Sequence, residues 1–153
     1  MPEQSGNGSI TTNAPICGTW RLESVTIQTN ADALHPMGDN PIGTLIYTNE
    51  GRYSVQLFPE GRTPCAADDL MGSTPEEIVA NAGRVVSYFG HYTFHPKVGY
   101  VIHNIEGSLF PNWEGQAHKR YFTIEDNRLT LKSEPMSLGG ESAVAVIVWE
   151  KLV

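Results

Sequence analysis

Apolar and polar positions alternate with a period of two through most of this chain, the pattern of half-buried β-strands. The clearest unit spans residues 43–58. Asn49-Glu50-Gly51 reads as a three-residue hairpin loop, with Gly51 in the left-handed position such loops need. That loop sets Ile46 opposite Ser54 and Thr44 opposite Gln56. It leaves Leu45, Tyr47, Tyr53, Val55 and Leu57 on the other, core-facing side. Residues 116–125 and 128–133 form a second hairpin around Asp126-Asn127, with Phe122, Ile124, Leu129 and Leu131 on one face. His118 and Arg120 share that apolar face. A third hairpin joins residues 86–95 to 99–107, and its register has two solutions. A three-residue loop places His91 across from His103. A four-residue loop that includes Gly99 places His91 across from Asn104 and Tyr92 across from His103.

The remaining elements are shorter or less regular. Residues 19–28 form a mixed strand, with Trp20, Leu22, Ser24 and Thr26 on one face and Arg21, Glu23, Val25 and Ile27 on the other. Residues 143–151 are a nearly all-apolar last strand. A short helix is predicted over residues 75–81, from a hydroxyl cap at Ser73-Thr74, a proline in the first turn and Glu76-Glu77 near the positive end of the helix dipole. Residues 30–41, 59–72 and 134–142 read as loops, and residues 108–115 as an aromatic loop built on Phe110 and Trp113. Residues 1–15 are rich in Ser, Thr, Asn and Gly and are expected to be a disordered lead-in to a single domain over residues 16–153.

About eight strands joined mostly as neighbours, with one short helix, point to an all-β, antiparallel up-and-down barrel. Closure removes exposed sheet edges, and eight strands leave room for one small ligand. The charge balance narrows the partners. With 10 basic and 17 acidic residues the net charge is -7, which argues against nucleic acid or an anionic membrane surface. No apolar run reaches the ~20 residues of a membrane helix. The polar N-terminal stretch and the two cysteines, Cys17 and Cys65, fit a cytoplasmic protein without a disulfide framework.

Several segments carry a more specific pattern. Gly18-Thr19-Trp20 opens the first strand. GTLIYTNEGRYSVQL, AGR, HNIEGSLFPNWEG and RYFTIEDNRLTL follow in order. Together they resemble the lipocalin-like domain family of small bacterial and fungal proteins, over nearly all of residues 18–153. The resemblance implies a barrel with an internal cavity. It also implies a setting in natural-product biosynthesis, where genes for some members lie.

The candidate chemistry is that of polar groups in an apolar cavity. No GxSxG, HExxH, CxxC or Gly-rich phosphate loop is present, so no metal and no cofactor are expected. The candidates for catalysis are His91, His103, Glu106 and Arg120: histidine exchanges protons near neutral pH, an acid among apolar neighbours has a raised pKa, and Arg anchors a carboxylate or enolate. Arg120 has a structural alternative, stacking on Trp20 to close one barrel end. The candidates for ligand contact are Tyr47, Tyr53, Tyr88, Tyr92, Asn104, Phe110, Trp113 and Phe122. The favoured function is a cofactor-independent cyclase or isomerase, such as a Diels-Alderase, acting on a hydrophobic polyketide- or terpenoid-type intermediate. The alternative is a non-catalytic intracellular carrier of a small hydrophobic ligand. Monomer and homodimer are both open.

Overall fold

The structure, a computed structural model, describes residues 14–152. The expected lead-in therefore lies outside the described residues except for Ala14 and Pro15. Ten strands follow: β1 (Gly18–Gln28), β2 (Ala33–Leu34), β3 (Ile42–Tyr47), β4 (Arg52–Phe58), β5 (Val86–His95), β6 (Tyr100–Ser108), β7 (Ala117–Glu125), β8 (Arg128–Ser133), β9 (Met136–Leu138) and β10 (Glu141–Lys151). Eight of them pair antiparallel in the order β1-β3-β4-β5-β6-β7-β8-β10, and β10 returns to β1 to close an up-and-down barrel. The two short strands extend its rim. β2 pairs with the end of β1, and β9 with the start of β10. Both lie in segments expected to be loops, where Leu34, Met136 and Leu138 turn apolar side chains toward the barrel mouth.

The hairpins form where the turn chemistry places them. Ile46 faces Ser54, Thr44 faces Gln56, and Gly51 has φ 88°. Leu45, Tyr47, Tyr53, Val55 and Leu57 are all buried. In the β7–β8 hairpin Phe122 faces Leu131 and Ile124 faces Leu129, with Asp126 at φ 55°. The open question of the β5–β6 register resolves to the four-residue loop, with His91 across from Asn104 and Tyr92 across from His103. Gly99, at φ 82°, closes that turn by donating its N–H to His95 O.

Two bulges matter for the site. In β1 the pairing shifts between Leu22 and Ser24, leaving Glu23 as the extra residue opposite β10. The strand changes parity there. Trp20 and Leu22 face inward, but beyond the bulge Val25 and Ile27, from the other face of the sequence pattern, take the inner positions in place of Ser24 and Thr26. In β5–β6 the pairing shifts between Phe89 and Gly90. The β6 backbone approaches so closely there that a Cβ at Gly90 would collide with Asn104 O, so glycine is required.

Among the described residues there is one α-helix, α1 (Pro75–Ala82), between β4 and β5. Thr74 Oγ1 accepts from the Glu77 N–H and the Glu77 carboxylate accepts from the Thr74 N–H, a reciprocal capping box. No residue of α1 is buried, so the helix holds its place through its caps and flanking loops.

Candidate functional site

The barrel is filled at one end and hollow at the other. At the filled end Trp20 is fully buried, its indole N–H donates to Ile16 O at 3.0 Å, and Tyr47, Leu45, Leu129 and Trp149 pack around it. The cation over the Trp20 ring is the Lys151 ammonium, 5.4 Å from the ring centroid. The alternative assignment of Arg120 to that place is corrected: β7 carries Arg120 toward the opposite, hollow end, and the C-terminal strand supplies the cation instead.

The hollow end holds a cavity of about 430 Å³. Its walls are mostly aliphatic: Val25 and Ile27 from β1, Leu57 from β4, Val86 from β5, Leu131 from β8, and Ala145 and Ile147 from β10. Thr29, Tyr88, Ser133 and Arg120 are the polar wall residues, with Arg84 and Glu141 at the rim. The cavity shares Arg84, Val86, Trp113, Arg120, Met136 and Leu138 with a wider groove of about 880 Å³ outside the mouth. Phe110, Gln116, His118 and Lys119 line that groove.

Arg120 is 8% exposed, and no carboxylate lies within ion-pair distance of it among the described residues. It donates to Lys119 O and to His118 Nδ1, each at 3.2 Å. Because a guanidinium only donates, His118 Nδ1 is unprotonated and Nε2–H faces Gln116 Oε1 at 2.8 Å. Partial burial, with the Arg120 charge second, lowers the His118 pKa, so this imidazole stays neutral.

His103 lies deeper, 1% exposed, inside a cage of tyrosines. Tyr47 Oη is 2.6 Å from its Nε2 and Tyr88 Oη is 3.1 Å from its Nδ1. Tyr53 stacks on the imidazole with centroids 4.2 Å apart, and its hydroxyl donates to Asn104 O. Burial, then the Arg120 charge, pushes the His103 pKa well down, and burial pushes those of Tyr47 and Tyr53 up. The cage is therefore uncharged at neutral pH. Tyr92 packs edge-on against Tyr47 and donates to Thr48 O at 2.7 Å, with Cys17 Sγ 3.2 Å from its hydroxyl.

The structure brings some of the candidate residues together and separates others. Arg120, Tyr88 and Trp113 line the cavity, and Phe110 joins Trp113 at the mouth. His103, Tyr47, Tyr53, Tyr92 and Phe122 are packed beneath the cavity; Phe122 lies against Phe94 at 4.9 Å. His91 and Glu106 stand on the outer wall, where Glu106 bridges Arg52 and His91. The Arg52 hydrogen bond, with His91 second, lowers the Glu106 pKa, the reverse of the rise expected for a carboxyl among apolar groups. Asn104 alternates outward with His91 across the ladder. His91 and His103 thus occupy opposite faces of the sheet. Three cavity features escaped the sequence pattern: the Val25–Ile27 face, the β9 rim and Arg84. Only Arg84 had a signal, the AGR segment directly after the helix.

These features match known proteins in two ways. A protein of Aspergillus oryzae named 4'-hydroxy-3'-methoxypropiophenone carrier protein is 26% identical over 106 residues, covering 65% of this chain and 96% of that protein. The lipocalin-like domain family matches residues 17–152, from the strand that opens on Gly18-Thr19-Trp20 to the end of the strand that closes the barrel. With the closed barrel, the Trp20 plug and the hollow far end all within that match, the chain belongs to the lipocalin-like domain family.

Proposed function

We propose that this protein binds a small, largely apolar molecule bearing an electron-rich oxygen in the hollow end of the barrel, and carries it unchanged. One observation carries the reading: an aliphatic cavity of about 430 Å³, continuous with solvent, whose wall presents a buried guanidinium with no carboxylate partner among the described residues. Small-molecule sites span about 300–1,000 Å³ and combine apolar walls with a few polar groups that orient the ligand. The Aspergillus relative's name supports the carrier reading, and its phenolic aryl ketone is a chemically reasonable first probe. The free thiols Cys17 and Cys65 suit a reducing, intracellular setting.

The Arg120–His118 pair favours a second reading, a cofactor-free cyclase or isomerase acting on a conjugated polyketide- or terpenoid-type intermediate. A guanidinium beside a neutral imidazole stabilises a developing enolate and accepts or returns a proton. One experiment separates the two. The pure protein, a heat-killed control and an Ala145→Trp variant with a filled cavity are incubated with small-molecule extract of the source organism lacking this gene. Mass spectrometry with chromatographic separation then follows the bound and free compounds. A compound retained by the wild type, lost in the variant and recovered intact supports the carrier. An isomer or dehydrated product formed only by the wild type supports the enzyme. Equal retention by wild type and variant rejects the cavity as the binding site.

A further inference from the structure

Tyr47, His103 and Tyr88 form a hydrogen-bonded chain that runs from the filled end of the barrel to the cavity wall. The direction of its protons follows from counting partners. Among the described residues, Tyr47 Oη has one hydrogen-bonding neighbour, His103 Nε2 at 2.6 Å, and Tyr47 is 1% exposed. If the imidazole proton sat on Nε2, it would donate to Tyr47 and leave the Tyr47 hydroxyl proton buried without an acceptor. If the proton sits on Nδ1, Tyr47 O–H donates to Nε2, Nδ1–H donates to Tyr88 Oη at 3.1 Å, and the one hydroxyl proton left over is that of Tyr88, on the wall of the open cavity rather than in the packed end. The cost of an unpaired buried donor favours the second arrangement by roughly tenfold to a hundredfold. A neutral His103, expected from its burial, is what either arrangement needs.

This direction has a consequence at the cavity. Tyr88 Oη already accepts from His103, so its own proton is free to donate elsewhere. Tyr88 is a cavity-wall residue, and His103 is the only hydrogen-bond partner of its hydroxyl among the described residues. We infer that Tyr47 and His103 act as positioning residues that fix Tyr88 as a hydrogen-bond donor toward the cavity, so that Tyr88 and Arg120 together select ligands with an acceptor-only oxygen: a ketone, enolate or phenolate. The inference rests on the cavity being the binding site. It differs from the reading of the residues as acid–base catalysts, because His103 never meets the ligand and acts only through Tyr88. A ligand that offers only a donor to Tyr88 and Arg120 would find no acceptor in that pair.

Two measurements test this on the full chain. Nitrogen-15 NMR of the ligand-free protein reports which His103 nitrogen carries the proton, with the signal assigned by its loss in His103→Gln. Protonated Nδ1 is expected, and protonated Nε2 overturns the inference. Displacement of N-phenylnaphthylamine, a neutral dye without a carbonyl, then compares 4'-hydroxy-3'-methoxypropiophenone with the same molecule carrying methylene in place of its ketone. The expected result is a preference for the ketone over its methylene analogue, measured as a ratio within each protein, that Tyr88→Phe reduces by roughly fivefold to tenfold, the worth of one neutral hydrogen bond. Equal binding of both compounds, or a preference unchanged in Tyr88→Phe, overturns the inference and leaves the cavity reading standing. Dye affinity unchanged by Ala145→Trp rejects the cavity reading and, with it, this inference.

Discussion

The two ends of the barrel are built from the same strands with the same alternation, yet one is solid and the other hollow. At the solid end the inward positions carry the buried rings of Trp20, Tyr47, Tyr92 and Trp149, with Tyr47 and Tyr92 meeting edge to face. At the hollow end the corresponding positions carry Val25, Ile27, Val86, Ala145 and Ile147, which are too short to meet. An eight-stranded barrel is just wide enough that side-chain volume decides between filling and cavity. Between the two lies a polar layer, with the His103 cage facing the solid side and Arg120 facing the cavity. The difference separates tasks: stability is concentrated where the rings interlock, and ligand contact where they are missing.

The comparison is broken most severely at Trp20. Trp20→Ala removes the plug and its hydrogen bond to Ile16 O. It is expected to lower unfolding free energy by about 3–5 kcal/mol in urea titrations, whereas Ala145→Trp at the hollow end leaves it nearly unchanged. A loss at Trp20 no greater than that at Ala145 would erase the distinction between the ends.

The next largest effect is titration of the polar layer. The folded-state pKa of His103 lies below its ordinary 6.5, so the unfolded chain takes up this proton first as pH falls. The stabilisation is complete above pH 6.5 and is lost as pH drops from there toward the folded value. The expected slope is about 1.4 kcal/mol per pH unit for this one proton. His118 contributes in the same direction. The lowered carboxyls Glu77, Glu106 and Glu150 titrate below the ordinary 4.5 and leave this window to the histidines. In His103→Gln the stability-against-pH curve should flatten by one proton; an unchanged slope would mean His103 titrates normally.

Arg120→Met sharpens the contrast by separating stability from binding. Removing a buried cation that has no carboxylate partner among the described residues is expected to leave stability unchanged or raise it. The ketone probe is expected to bind about tenfold more weakly, as when a charge-assisted hydrogen bond is lost. Dye displacement and urea titration of the same variant measure both. Arg52→Ala, on the outer wall, is expected to do least. Its pair with Glu106 is solvent-exposed, so neither probe affinity nor the unfolding midpoint should move beyond experimental scatter.

The barrel was legible because its turns are local. Asn49-Glu50-Gly51 and Asp126-Asn127 set two registers by chemistry within a few residues, and each register then assigned the inward face of two strands. The β5–β6 hairpin was ambiguous because Gly99 can belong to either turn or strand. Only the surrounding barrel settles the choice, by burying Tyr92 and His103 together. The site was less legible. His91 and Glu106 resembled buried polar residues until the register placed them outside. Arg120 was recognisable as a charge on an apolar face, but which barrel end it served depended on side-chain volumes contributed by β1 and β10. The inward face of β1 was hidden by the bulge at Glu23, which no local residue pattern announces.

That bulge makes β1 a reading frame of period two with one built-in frameshift. Glu23 is the extra letter: its deletion would restore straight pairing with β10 and keep Trp20, Leu22, Val25 and Ile27 on the inner face. Deleting Ser24 instead has the same outcome, because one residue still separates Leu22 from Val25; deleting both would move every later residue by one place, exchanging Val25 and Ile27 for Thr26 and Gln28 at the cavity wall. A greasy chamber and a hydroxyl- and amide-lined one are thus two codons apart in this strand, and the loss of either codon alone leaves the chamber greasy.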